Sequence, residues 1–304
     1  MKYDVLILGG GSAGMSAAIY CKRANLNVCI IDNYISGGRP LEYLEIENYL
    51  GLGKIESLNM IEKFKEHVAL FDIPVFEFQE IEEVDLQNKV VKTKEQTFEG
   101  KAIIIATGSR PRKLGVKGED EYLGKGVHYC AICDGPMYKD KVVAVIGGGN
   151  SACEEALGLS KLAKKVYIIE FTDKLNADAT TVNLIKNTEN ITVYTGRAVT
   201  QILGHEKVDA LCIKFREHLN EDYIADNTLR VDGIFPYIGM DANSENFVLN
   251  KNKGFIITDD NMETSIEGVY AVGDVRDKQY RQVITAVADG AIAGIAVRKY
   301  LSTK

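Results

Sequence analysis

The chain has 304 residues, 46% hydrophobic and 26% charged, with a net charge of −7. That balance belongs to a globular protein with apolar material for sizeable cores, and the acidic total argues against nucleic acid, whose phosphates call for a concentrated cationic surface. No apolar run approaches the roughly 18 residues of a membrane span. Met1-Lys2-Tyr3-Asp4 leads into a short strand and not a signal peptide, so a cytoplasmic protein is expected.

Single cores stop growing at roughly 250 to 300 residues, so two domains are the starting expectation. The first element is a strand, Asp4 to Leu8, that runs into Gly9-Gly10-Gly11-Ser12-Ala13-Gly14. An alanine-rich helical stretch to Ala24 and a second strand, Val28 to Ile31, follow, closed by Asp32. Each glycine has a mechanical reason. The first permits a tight turn, the second lets backbone approach a pyrophosphate, and the third lets helix and strand pack closely. The helix N-terminus offers free N–H groups to phosphates, and an acid about 20 residues on can accept from ribose hydroxyls. Ala102 to Ile105 reads as a buried strand ending in Ala106-Thr107-Gly108, with Arg110, Arg112 and Lys113 beyond it.

Of six cysteines, Cys21, Cys29, Cys153 and Cys212 sit in apolar surroundings and read as buried thiols. Cys130 and Cys133 form a close pair in Cys130-Ala131-Ile132-Cys133-Asp134. Zinc, a redox dithiol or neither could explain it. Zinc usually needs a second close pair of Cys or His, and none follows, so no metal is expected. A thioredoxin fold carrying its own pair fits poorly with the nucleotide-binding unit that comes next. A dithiol next to a flavin is the best chemical reading: cysteines at this spacing close a disulfide with little rearrangement, and a helix start or nearby cation lowers one thiol's pKa. Asp134 is placed to protonate a leaving thiolate, given burial that raises its pKa; the plainer reading is a solvated turn residue. His128 is near enough in sequence to perturb the pair, although a satisfied structural histidine is the plainer role.

The glycine pattern then recurs. Val142 to Ile146 precedes Gly147-Gly148-Gly149-Asn150-Ser151-Ala152, a helical stretch to about Ala163, and Val166 to Ile169 closed by Glu170. Gly9 and Gly147 are 138 positions apart, and so are Asp32 and Glu170. A lone glycine motif is weak, but two units of one length in the same order identify two dinucleotide-binding folds. Lys161, Lys164 and Lys165 end the second unit's helix.

Near the end, Val269 to Val272 leads into Gly273-Asp274, and after Arg281-Gln282 a helix runs from about Val283 to Tyr300. The expected fold is therefore α/β, with two Rossmann-like dinucleotide-binding domains, the second inserted into the first. Residues 1–114 and 241–304 form a discontinuous first domain and 115–240 the second, with hinges at Leu114 to Gly118 and Ile238 to Asp241.

Together these residues resemble the low-molecular-weight thioredoxin reductases, of the pyridine nucleotide-disulfide oxidoreductase type, over essentially the whole chain. The resemblance is carried by the opening GGGSAG, Gly37-Gly38, Glu47-Asn48-Tyr49, Ala106-Thr107-Gly108, CAICDG from Cys130, GGGNSACEEA from Gly147, Gly273-Asp274-Val275 and Tyr280-Arg281-Gln282. It implies FAD in the first domain, held by Gly9, Gly11, Ser12, Ala13, Gly14, Asp32, Gly38, Arg39, Asn48, Ala106, Thr107, Gly108, Gly273, Asp274, Arg281, Gln282 and Val283. It also implies that Cys133 faces the flavin while Cys130 attacks the disulfide of thioredoxin. A rotating second domain and a homodimer are further family expectations.

One departure bears on the electron donor. The family pattern after the second unit's second strand is His-Arg-Arg, with another Arg four residues later, to hold the 2′-phosphate of NADPH. Here the chain reads Glu170-Phe171-Thr172-Asp173-Lys174-Leu175-Asn176. A charge-assisted hydrogen bond to phosphate is worth roughly 1.5 to 3 kcal/mol, so losing several makes NADPH an unlikely donor. Reduced ferredoxin, as in the ferredoxin-linked flavin thioredoxin reductases, is the first expectation, and NADH, bound through Glu170, is the second. Arg39 stands where the family has Gln, and Arg110, Arg112, Lys113 or the Lys161 cluster could help an acidic donor dock. A flavin dithiol oxidase using oxygen and a nucleotide-sensing scaffold are the rival readings.

Overall fold

The computed structural model describes residues 1–42, 45–46, 48–129, 131–219 and 227–303, with backbone only at 42, 45, 132 and 133. Along the chain, β1 is Val5–Leu8, α1 Ser12–Arg23, β2 Val28–Ile31, α2 Ser57–Ala69 and β3 Val75–Phe76. Next come an antiparallel meander of β4 Ile81–Asp85, β5 Val90–Thr93 and β6 Thr97–Glu99, and then β7 Ala102–Ile105. The middle of the chain holds α3 Ala131–Asp134, β8 Val142–Ile146, α4 Asn150–Ser160, β9 Lys165–Ile169, α5 Ala179–Lys186, β10 Ile191–Tyr194, β11 Arg197–Gly204, β12 Val208–Phe215, β13 Asn227–Arg230 and β14 Gly233–Pro236. It ends with β15 Val269–Ala271 and α6 Val283–Ser302.

Two compact units result, Met1–Arg110 with Asp241–Lys304, and Pro111–Met240. The first crossing falls before Leu114, because the Arg112 amide already donates to the Gly239 carbonyl inside the second unit. In the first unit β15, β7, β1, β2 and β3 form a parallel sheet in that order. Val5 to Leu8 are wholly buried, as are Ala102 to Ile105, which explains unbroken apolar strands instead of alternation. Each such aliphatic side chain contributes about 1.5 to 3 kcal/mol by leaving water. Helices α1 and α6 pack against one another at small residues. A Cβ on Gly290 would run into the Ala13 carbonyl oxygen, and one on Gly294 would lie 2.6 Å from the Tyr20 Cβ.

The second unit repeats the plan with a parallel sheet ordered β10, β9, β8, β14, and adds the antiparallel β11, β12 and β13. Helix α4 stops at Ser160, short of the expected Ala163. The Asn190 amide donates to the carbonyls of Ser160 and Ala163, satisfying the helix end while the chain turns into β9. Lys165 consequently begins a strand and does not end a helix. In the first unit, α6 runs past Tyr300 to Ser302. Cys21, Cys29 and Cys153 are buried free thiols, with burial pushing Cys21 and Cys29 up to about 12 and Cys153 to about 11. Cys212, expected to be buried, is only half so, because strand alternation turns Leu211 and Ile213 inward and Cys212 outward. Among the described residues no helix is long and apolar enough to cross a membrane.

Candidate active site

At the C-terminal end of β1, Gly9 takes a φ of +105°, and at the same place after β8 Gly147 takes +122°, values that favour glycine. Each amide donates to the strand alongside, Gly9 to Ile31 at 2.9 Å and Gly147 to Ile169 at 2.8 Å. A Cβ on Gly14 would strike the Gly9 carbonyl, so the third glycine lets α1 sit against the turn. Space remains open beside Gly11, where an added Cβ would meet only Gly38 at 4.0 Å, and the Gly37 amide ties that second loop to Gly10.

Asp32 closes β2 with its Oδ2 accepting the Gly10 amide at 2.6 Å and Oδ1 accepting Tyr34 at 3.0 Å; burial raises its pKa. Ala106 backs the turn, since a Gly9 Cβ would lie 2.5 Å from its carbonyl oxygen. Thr107 and Asn243 exchange hydrogen bonds of 2.6 and 2.8 Å, and Gly108 accepts the Asn243 amide. Asn48 donates to Gln282 at 3.0 Å, and Gln282 forms a capping box with Thr285 that starts α6 at Val283. Arg39 lies 3.7 Å from Asp274, while Arg281 stacks on Phe255 at 4.0 Å.

Beneath this turn lies a group that sequence reasoning missed. Asp289, 7% exposed on α6, accepts the Gly273 amide at 3.0 Å, Arg276 at 3.1 Å and Lys278 at 3.0 Å. Lys278 also reaches Asp274 at 3.8 Å. A single carboxylate thus pins the loop bearing Gly273 and Asp274. The available signal was one acid inside an otherwise apolar stretch, Ala286-Val287-Ala288-Asp289-Gly290-Ala291.

In the second unit Glu170 is 6% exposed, and its Oε1 accepts the Thr172 amide at 2.7 Å and hydroxyl at 2.6 Å. Its Oε2 lies beside the second glycine, 2.6 Å from where a Gly148 Cβ would stand. Cys130 and Glu47 lie outside the described residues, and Cys133 is described by backbone alone. Around the pair, the Ala131 amide donates to the Tyr237 hydroxyl at 2.9 Å, and the Tyr129 hydroxyl donates to Glu119 at 2.6 Å. Asp134 is half-buried, 3.0 Å from His128 Nδ1. Burial, then nearby Asp134 and Asp232, push Tyr138 up to about 12.

The model of the family described as pyridine nucleotide-disulphide oxidoreductase matches residues 3–290. The chain belongs to the pyridine nucleotide-disulphide oxidoreductase family. It is similar to the thioredoxin reductase of Ureaplasma parvum serovar 3, 39% identical over 306 residues, which cover 99% of this chain and 97% of that protein. The crystal structure of Lactococcus lactis thioredoxin reductase matches with a TM-score of 0.84 at 35% identity, over 99% of this chain and 100% of that one. A ferredoxin-flavin thioredoxin reductase from Clostridium acetobutylicum matches at 0.54 and 30%, over 100% and 99%. The expected fold and the class of enzyme, a thioredoxin reductase-like flavoprotein oxidoreductase acting on disulfides, are those of this family.

A family flavin fits the first unit's cradle on its own polar groups. Ser12 Oγ, at the start of α1, and Asp274 Oδ1 are buried with no hydrogen-bond partner among the described residues. Such groups cost free energy unless a ligand atom completes them. Burial also raises the Asp274 pKa, against the pull of Lys278, Arg39 and Arg281. Of the basic residues considered for docking an acidic donor, Arg110 pairs with Glu245, and Lys113 with Asp120 at 2.7 Å.

Proposed function

We propose that this chain is an FAD-dependent disulfide reductase that passes electrons through Cys130 and Cys133 to a thioredoxin. The observation that carries the reading is a short helix, Ala131–Asp134, that follows Cys130 in sequence and carries Cys133 and Asp134, in a chain whose other unit offers a dinucleotide cradle with buried polar groups that lack a hydrogen-bond partner among the described residues. Bound FAD supplies a two-electron carrier. Gly9, Gly11, Ser12, Ala13, Gly14, Asp32, Gly38, Arg39, Asn48, Ala106, Thr107, Gly108, Gly273, Asp274, Arg281, Gln282 and Val283 would hold it. Cys133 is assigned to the flavin side and Cys130 to the thioredoxin, with Asp134 handling the thiol proton. The named relatives support thioredoxin as the partner. A homodimer and a cytoplasmic location, where thiols stay reduced, belong to the same reading.

For the donor, the geometry favours NADH. The second cradle repeats the first, with Glu170 where ribose hydroxyls would be received and no arginine on the 170–176 loop to hold a 2′-phosphate. Reduced ferredoxin is the second reading, supported by those same missing arginines and by the likeness to the ferredoxin-flavin enzyme. Anaerobic mixing of the flavin-loaded protein with NADH, NADPH and reduced ferredoxin in turn, followed at the flavin absorbance, separates them. NADH bleaches fastest on this reading; fast bleaching by micromolar NADPH rejects it, and bleaching by ferredoxin alone selects the second. Cys133→Ser retains flavin and loses thioredoxin reduction, and continued turnover would remove that residue from the path. Oxygen uptake with small dithiols and no thioredoxin reduction would make the protein an oxidase instead.

A further inference from the structure

His128 is 7% exposed, and both ring nitrogens are engaged: Nδ1 with Asp134 Oδ2 at 3.0 Å and Nε2 with the Tyr138 hydroxyl at 2.8 Å. Its amide donates to the Ile234 carbonyl at 3.0 Å, beside β14. The imidazole stacks on Phe235 at 5.8 Å and 28°, and Tyr138 meets both rings edge-on. The ring therefore has one seat, and its partner on one side is the carboxyl adjoining Cys133. We propose that His128 is a positioning residue for the dithiol, fixing the direction and proton exchange of the Asp134 carboxylate. The inference rests on the disulfide reductase reading above.

One hydrogen arrangement satisfies every group. The Tyr138 O–H donates to Nε2, which places the imidazole proton on Nδ1, where it donates to Asp134. Burial holds the phenol protonated, with a pKa of about 12, so Tyr138 selects this tautomer without taking a charge. The bond from Nδ1–H holds one carboxyl oxygen and leaves the other to exchange a proton. In the exchange, one enzyme thiol passes its proton to Asp134 as its sulfur attacks the partner disulfide. That S–S bond breaks, and the leaving sulfur takes the proton from Asp134. The second enzyme thiol then attacks the mixed disulfide and its proton passes to the second leaving sulfur, closing the enzyme disulfide and leaving two thiols on the partner. Other charges near the network are Asp232, whose Oδ2 accepts the Val142 amide, and Lys141, 5.4 Å from the Tyr138 ring centre.

The test follows alkylation of the reduced dithiol by iodoacetamide across pH, which needs no electron donor, beside thioredoxin reduction by the photoreduced holoenzyme. His128→Leu displaces the pH profile of alkylation by about one unit and slows thioredoxin reduction about tenfold. His128→Asn, which keeps an N–H, recovers most of both. Tyr138→Phe frees the tautomer and displaces the profile part-way. A wild-type profile and rate in folded, flavin-loaded His128→Leu would overturn the proposal. Should that variant not fold, an undisplaced profile in Tyr138→Phe overturns it. Wild-type protein that alkylates normally yet never reduces thioredoxin defeats the functional reading, and the alkylation series still judges His128.

Discussion

Asp32 Oδ2 holds the Gly10 amide at 2.6 Å across the mouth of the first glycine turn. The bond fixes the turn from the strand beside it, so the cradle's shape depends on this carboxylate. Asp32→Ala leaves the Gly10 and Tyr34 amides without their acceptor, a loss of about 1 to 3 kcal/mol. Flavin affinity should fall at least tenfold, measured by the recovery of FAD fluorescence on dilution.

Glu170 occupies the corresponding position in the second unit, where it accepts from the Thr172 amide and hydroxyl. Glu170→Ala should raise the KM for NADH about tenfold and change that for NADPH little, since two hydroxyl contacts are worth about 1 to 2 kcal/mol. Initial rates of thioredoxin reduction with each nucleotide check this.

Asp289 carries two cations and one amide in a nearly dry place. Removing one member of such a set strands the others, at about 3 to 5 kcal/mol. Asp289→Ala should unfold at markedly lower urea, and Asp289→Asn, which keeps an acceptor for Gly273, should lose less. Added FAD should restore part of the deficit by binding only the folded form.

Glu155 on α4 is half-buried, and burial with neighbouring Glu154 pushes it from 4.5 up to about 7. Between those values the folded chain holds a proton that the unfolded chain has lost, so stability falls as pH rises through that window. Glu155→Gln cannot ionise and should escape the fall. Its melting temperature should match wild type near pH 4 and exceed it at pH 8, with an upper limit of about 3 kcal/mol.

Both glycine turns and their acids were legible because spacing alone encodes them: Asp32 and Glu170 sit one strand after their helices in equal-length units. The contacts of Asn48 with Gln282, and of Arg39 with Asp274, were legible only through family likeness, because the partners are far apart in sequence and meet by folding. His128 was noticed for its place before Cys130, yet its bonds to Asp134 and Tyr138 depend on the helical turn that follows. The end of α4 was hidden for a similar reason: Asn190, thirty residues beyond Ser160, caps it. Asp289 was hidden by its own surroundings, since an apolar helix pattern reads the same with or without one buried acid paired to Arg276 and Lys278.

Because β15 and α6 belong to the first unit but follow the whole of the second, that unit cannot finish while the ribosome is still making the insert. Until β15 and α6 have been made, β7 has a bare edge and α1 lacks the helix that covers it. The inserted unit can fold first, as a continuous stretch, and the nascent chain carries an unsealed sheet edge meanwhile. Truncation anywhere within Val283–Ser302 therefore strikes the nucleotide cradle at the opposite end of the polypeptide.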